Sequence, residues 1–242
     1  MSNLNEPILP GTAKSDYERY LRTDELLSLQ KTPDELQHRD ELLFQVIHQT
    51  SELWLKLACF EVDTATAALD RNEVWDAVRE LRRASDALDL VHANTLMLEH
   101  LAPWDYQAFR PALGHGSGFD SPGFRGTHEV SPKLGEAFDR LLARRGLALP
   151  DLYKNSRAHE DVFQIAERLL DWDHRLILWR ELHLKLVERI IGGHVIGTQG
   201  TPVEVLGRRI AVRYFEPLWN VRNALTAEAH TSPEVSGDVS RL

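Results

Sequence analysis

The chain has 242 residues, a formal net charge of −9 and one cysteine, Cys59. That charge speaks against a nucleic-acid partner, which is held mainly by Lys and Arg on phosphates, and a lone cysteine leaves no internal disulfide and no Cys-x-x-Cys-His haem attachment. Hydrophobic residues at 43% and charged residues at 27% are the balance of a soluble globule, expected as one domain over 1–242, with no apolar run of membrane-spanning length. From its start the chain shows no basic region followed by an apolar stretch, so the expected compartment is the cytoplasm. Thr32-Pro-Asp-Glu35 has the form of a capping box with Pro33 at the first helical position, which predicts a helix start. The following segment, containing His48, carries apolar residues at three- and four-residue spacing through about Leu69. A second long helix is predicted from Val74 to about Leu101, with the stripe Val78, Leu81, Ala84, Leu88, Val91 and Leu98, until Pro103 interrupts it. Pro111 to Gly126 reads as a glycine-rich loop. Ser131-Pro132 reads as the cap of a short helix closed by Gly146 and Pro150. Asp161 to Ile191 is the third long helix, ending at Gly192-Gly193. Leu206 to Leu225 is helical with a break near Pro217, and about 228–242 is a loose polar tail. No alternating strand is present, so the fold class is all-α, a bundle of several long helices.

Phe44 and His48 stand one turn apart and share a helix face. An aromatic ring beside an imidazole suits an aromatic substrate that carries an N–H, although spacing alone favours a core histidine bonded to a backbone carbonyl. His183 lies on the stripe Leu176, Trp179, Leu186, Val187 and Ile190, where spacing again favours a packed core residue over a ligand. Arg110, one turn after Tyr106, can present a guanidinium to a carboxylate in two parallel hydrogen bonds; by itself it reads more readily as a surface arginine. Gly114, Gly116 and Gly118 allow close backbone approach or a plain turn. Tyr17 and Tyr20 read as an amphipathic helix start. Other chemistries are excluded: a di-iron bundle needs Glu-x-x-His on two helices and only Glu35–His38 has that form. No hydrolase elbow, phosphate loop or dinucleotide fingerprint occurs.

Four blocks, in order, carry a resemblance. Tyr17 to Leu27, Phe44-Gln-Val-Ile-His-Gln-Thr-Ser-Glu-Leu-Trp-Leu-Lys-Leu57, Tyr106 to Phe119 with Arg125, and Trp179-Arg-Glu-Leu-His183 with Val187 to Gly192 resemble segments of the tryptophan 2,3-dioxygenase family. The resemblance implies a helical bundle enclosing non-covalent haem b, with His183 as the axial iron ligand and Ser117 and Gly118 at the haem. It implies that His48 accepts a hydrogen bond from the indole N–H and orients the ring, a large source of rate. Phe44 would pack on the indole, Arg110 and Tyr106 would hold the carboxylate, and Thr198 the ammonium. Tyr17, Tyr20 and Leu21, within an N-terminal segment of about 1–30, would complete the pocket of a neighbouring subunit in a homotetramer, a dimer of dimers. The implied reaction inserts dioxygen across the indole C2–C3 bond of L-tryptophan or a close indole amino acid to give an N-formylkynurenine-type product. Alternatives are a haem-dependent monooxygenase of a modified tryptophan in specialised metabolism and a non-catalytic haem sensor. This chain departs from the family pattern in two places. The stretch from Phe119 to His183 is shorter. The Gly197-Thr-Gln-Gly-Thr201 loop has an extra residue before it and Pro202-Val203 after it, and His115 adds a polar group near the presumed pocket.

Overall fold

The computed structural model describes residues 6–196 and 202–231. Among them every regular element is helical, apart from an isolated bridge between Ile196 and Pro202. Two short helices, α1 (Asp16–Leu21) and α2 (Thr23–Leu27), precede the long α3 (Asp40–Asp70) and α4 (Val74–Thr95). After a 3-10 turn at Leu96–His100 come α5 (Pro103–Phe109), 3-10 turns at Arg110–Leu113 and Gly118–Asp120, α6 (Pro122–Arg145) and α7 (Leu149–Lys154). The chain finishes with α8 (Glu160–Ile191), α9 (Glu204–Ile210) and α10 (Glu216–Thr231). None of the described helices is long and apolar enough to cross a membrane.

The sequence sets this packing through helical periodicity. Ile47, Ser51, Leu55, Ala58, Val62, Ala65 and Leu69 recur every three or four residues and form the buried stripe of α3. The chain reverses at Asn72, which takes a left-handed φ of 61°, and α4 then packs along α3 with Leu81, Ala84, Leu88 and Val91. α6 packs on α3 through Val130, Leu134, Ala137 and Leu141, and α8 packs on α4 through Val162, Ile165, Leu169, Trp172 and Leu176. Each fully buried leucine contributes about 1.5–3 kcal/mol relative to exposure. Two polar side chains inside this core pair with each other: the Trp172 indole donates to Ser131 Oγ at 2.9 Å, and the Ser131 hydroxyl donates to the Thr127 carbonyl. Asp173, fully buried on α8, accepts from the Tyr214 and Phe215 amides and the Trp219 indole, which fastens α10 to the bundle. A second, smaller cluster of Ile47, Leu98, Leu101, Phe109, Leu186 and Ile190 lies where the start of α3 meets α5 and the end of α8.

Three local expectations are overturned. Thr32–Glu35 forms half of the box, with the Glu35 carboxylate accepting the Thr32 amide at 2.8 Å, but the Glu35 amide donates to the Thr32 carbonyl and not to its hydroxyl, and the result is a turn. The residues that follow are drawn onto the first turns of the next helix, where buried Glu41 takes the Lys31 ammonium and the Gln37 amide, so the helix begins at Asp40. The glycine-rich loop ends earlier than expected. Ser121 caps α6 by accepting from the Phe124 amide, Pro122 occupies its first turn, and Gly123 and Gly126 are helical. They are glycines because α3 is close: a Cβ on Gly123 would lie 2.6 Å from Leu55 Cβ, and one on Gly126 3.0 Å from Cys59 Sγ. Ser131 and Pro132 lie inside α6 instead of capping a new helix, since the Ser131 hydroxyl turns back onto Thr127.

Candidate active site

On α3, Phe44 and His48 project together, with ring centroids 4.0 Å apart. His48 Nδ1 lies 2.7 Å from the Phe44 carbonyl oxygen. A carbonyl only accepts, so Nδ1 carries the proton and Nε2 keeps its lone pair. The ring has accessible surface yet is densely surrounded by protein, the condition of a group lining a crevice. Burial holds its pKa below the ordinary histidine value despite the Phe44 bond and the charge of Glu52, so the ring is neutral. Phe44 also meets Phe109 edge-on at 5.6 Å and Tyr106 at 6.0 Å, which makes a three-ring wall between α3 and α5. Burial raises the Tyr106 hydroxyl pKa, against the opposing charge of nearby Arg110. The Arg110 guanidinium donates to the Ile196 carbonyl at 3.0 Å.

Across from this wall, α8 carries a stack. Phe124 lies on Trp179 at 3.7 Å, and Trp179 lies on His183 at 4.9 Å with 12° between planes. The Trp179 indole is anchored on Thr95 Oγ1 at 3.2 Å. The His183 pKa is pushed down to about 4, first by burial and then by the charge of His48, which places the two imidazoles within electrostatic reach of each other. Among the described residues, no hydrogen-bond partner is present for either nitrogen of His183. Gly118 reaches this ring: a Cβ there would lie 4.0 Å from His183 Cε1. The start of α3, α5 with the turn after it, and the later part of α8 thus bring two neutral imidazoles, an aromatic wall and an arginine to one end of the bundle.

A family model described as tryptophan 2,3-dioxygenase matches residues 9–140. A tryptophan 2,3-dioxygenase of Xanthomonas campestris pv. campestris (strain B100) is 32% identical over 93% of this chain and 92% of its own length. One from Caulobacter vibrioides is 34% identical over 86% of this chain and 98% of its own. The chain belongs to the tryptophan 2,3-dioxygenase family.

The alignment with the Xanthomonas member of the family runs over 276 residues, more than the 242 of this chain, so that relative carries residues absent here. The stretch from Phe119 to His183, read from sequence as short, is spanned here by α6, the short α7, a 3-10 turn at Ser156–His159 and the first part of α8. Of Gly114, Gly116 and Gly118, the last alone approaches His183; Gly114 faces open space and is required by its φ of 57°. Ser117 caps the Gly118–Asp120 turn by accepting the Phe119 amide, which leaves its own proton to donate. His115 and Arg125 are exposed. Tyr17, Tyr20 and Leu21 are 68%, 78% and 45% exposed, so within one protomer they do not enter the site. Thr198 lies outside the described residues.

Sequence reasoning missed Phe109 and Phe124 as parts of this region, and it placed Glu52 on the turn after His48 without finding its partners. Phe109 has a local signal, three residues after Tyr106 on one helix face; the other two act through partners far along the chain. His38, the other polar cluster nearby, has Asp40 4.0 Å from Nδ1 and Asp105 3.8 Å from Nε2. One ligand atom from each of these three residues lies within 4.8 Å of the others, and together they bridge the start of α3 to α5.

Proposed function

We propose that this protein is an oxidoreductase that opens the indole ring of L-tryptophan with dioxygen, giving an N-formylkynurenine-type product, with haem b held non-covalently by His183. Family membership supports the reaction class. The observation that carries the site is the pair of neutral imidazoles on α3 and α8, one with an acceptor nitrogen beside an aromatic wall and the other without a hydrogen-bond partner among the described residues. The donor set fits haem: a neutral imidazole is the ligand form, and the Gly118 backbone can lie close to a flat macrocycle.

His183 would hold the iron, Trp179 would fix the plane of that imidazole by stacking, and Gly118 would leave room for the ring edge. When bound, haem supplies the activation of dioxygen. The chain's part is to bind, orient and exclude water. His48 Nε2 accepts the indole N–H, and its Nδ1 bond to Phe44 keeps the ring in the tautomer that can do so. Phe44 flanks the indole. Arg110 exchanges its Ile196 carbonyl for the substrate carboxylate, with Tyr106 beside it, and Thr198 receives the ammonium. Ser117 donates at the haem periphery.

The whole chain acts as one domain in this reading, and its exposed apolar side chains support assembly. Tyr17, Tyr20 and Leu21 complete a neighbour's pocket in a dimer of dimers, and the α3 face formed by Leu42, Val46, Leu53, Leu57 and Phe60 is exposed in the protomer. A truncation after Leu21 mixed and refolded with His183→Ala should regain part of the activity. No recovery, together with a fully active monomer, would remove the roles of Tyr17, Tyr20 and Leu21. The reaction itself is tested by anaerobic reduction with haem, then dioxygen and L-tryptophan, with products weighed by mass spectrometry. A gain of two oxygen atoms is expected; a gain of one, or no product with haem bound, overturns the proposal.

A further inference from the structure

We infer that Glu52 is the positioning residue that sets the imidazole of His183 against that of His48. The inference rests on the reading of those two rings as the two faces of the site. Glu52 lies one turn beyond His48 on the same side of α3. Its carboxylate leaves that helix and takes two donors at the start of α6: Oε1 accepts the Ser121 hydroxyl, and Oε2 accepts the Gly123 amide at 2.8 Å. The first amides of a helix have no partner within it, and a carboxylate there gains from both the bond and the positive end of the helix. Reach depends on the residue being glycine, because a Cβ on Gly123 would come within 2.8 Å of Glu52 Oε2.

The next residue carries the effect onward. Phe124 stacks on Trp179 and Trp179 on His183, while Gly118, in the short loop that ends at Ser121, approaches the same imidazole. Contact is therefore continuous from α3 through the Glu52 carboxylate and the α6 start to the ring of His183. Without the carboxylate, Ser121 and Gly123 lose their charged tie to α3, leaving Gly123 only the weak Cys59 thiol contact to its carbonyl at 3.8 Å, and the Phe124 ring loses its fixed height over Trp179. Among the described residues Glu52 makes no hydrogen bond to Phe44, His48, Tyr106 or Arg110; its one effect on these groups is its charge, which raises the His48 pKa against burial.

The test uses the full chain with Glu52→Ala and Glu52→Gln. Hydrogen exchange is read by mass spectrometry without haem, and kcat and KM are read with haem, normalised to haem content. Glu52→Ala should speed exchange in residues 118–126 by about ten- to a hundred-fold, the range for a lost hydrogen bond to a charged group, with α4 unchanged. It should lower kcat by about ten- to a hundred-fold, as a small misplacement of reacting groups does, with KM for tryptophan held. Glu52→Gln keeps an acceptor for the Gly123 amide and should recover most of both losses. Unchanged exchange in 118–126, or a rise spread equally over α3, α4 and α8, overturns the inference. So does local loosening with kcat intact. If the wild type itself took up no haem or turned over no tryptophan, the functional reading would fall; the exchange result would still decide whether Glu52 holds the α6 start.

Discussion

The same two helices run through two different environments. Between Leu55 and Leu69, α3 is buried in an almost wholly apolar core, and α8 is likewise from Val162 to Leu176. One or two turns further on, each helix carries a histidine: His48 before the core on α3, His183 beyond it on α8. There the buried cluster shrinks to six residues, and the surrounding groups are aromatic rings, glycines and an arginine. The first region is rigid because its side chains fill space. The second is held by directional contacts, such as the Trp179 stack, the Nδ1 bond of His48 and the Glu52 cap. Stability and chemistry are thus divided along the length of shared helices, so the site borrows rigidity from a core it does not disturb.

Three perturbations sharpen that division. The largest is in the core: Leu169→Ala removes a fully buried side chain and should cost about 2–5 kcal/mol of unfolding free energy. Denaturant titration would measure it, and haem affinity of the folded fraction should be unchanged. Loss of haem binding with little loss of stability would erase the distinction between the regions. Next is the site end. Arg110→Ala should weaken tryptophan binding by about ten- to a hundred-fold, corresponding to about 1.5–3 kcal/mol for a charged hydrogen-bonded contact. Tryptamine, which has no carboxylate, should bind the wild type and the variant alike in the same titration. Equal losses for both would make Arg110 a structural prop for the Ile196 carbonyl.

A third effect is one of pH on the haem-free protein. His183 binds its proton less tightly folded than unfolded, its pKa falling from 6.5 to about 4. The unfolded chain therefore takes up more protons in that window, so stability is fully present above pH 6.5 and declines as pH falls toward 4. His183→Leu should flatten the curve of melting temperature against pH over that range relative to the wild type. Identical slopes would mean that the ring is not desolvated.

The long helices were legible from sequence because their apolar positions repeat at helical spacing, and Phe44 with His48 was legible for the same reason. His183 was not separable by spacing from a packed histidine; the resemblance singled it out, and the unpartnered, desolvated ring is a property of the tertiary structure. The roles of Glu52 and Phe124 stayed invisible because their partners lie 71 residues away in one case, at Gly123, and on another helix in the other. Gly123 and Gly126 misled for a physical reason. Glycine marks a turn when the backbone needs a positive φ, but here it marks the close passage of one helix over another, which sequence periodicity does not report. Pro132 misled likewise, since the helix tolerates it beside a serine that bonds backward.

The central claim, that the histidine beyond the core on α8 is the iron ligand and the one before it on α3 is not, is tested most directly by haem titration of the wild type, His48→Ala and His183→Ala, followed by ferrous spectra. The wild type and His48→Ala should both bind haem with a histidine-ligated spectrum, and His183→Ala should lose that absorbance or shift it strongly. An unchanged ferrous spectrum in His183→Ala would contradict the account.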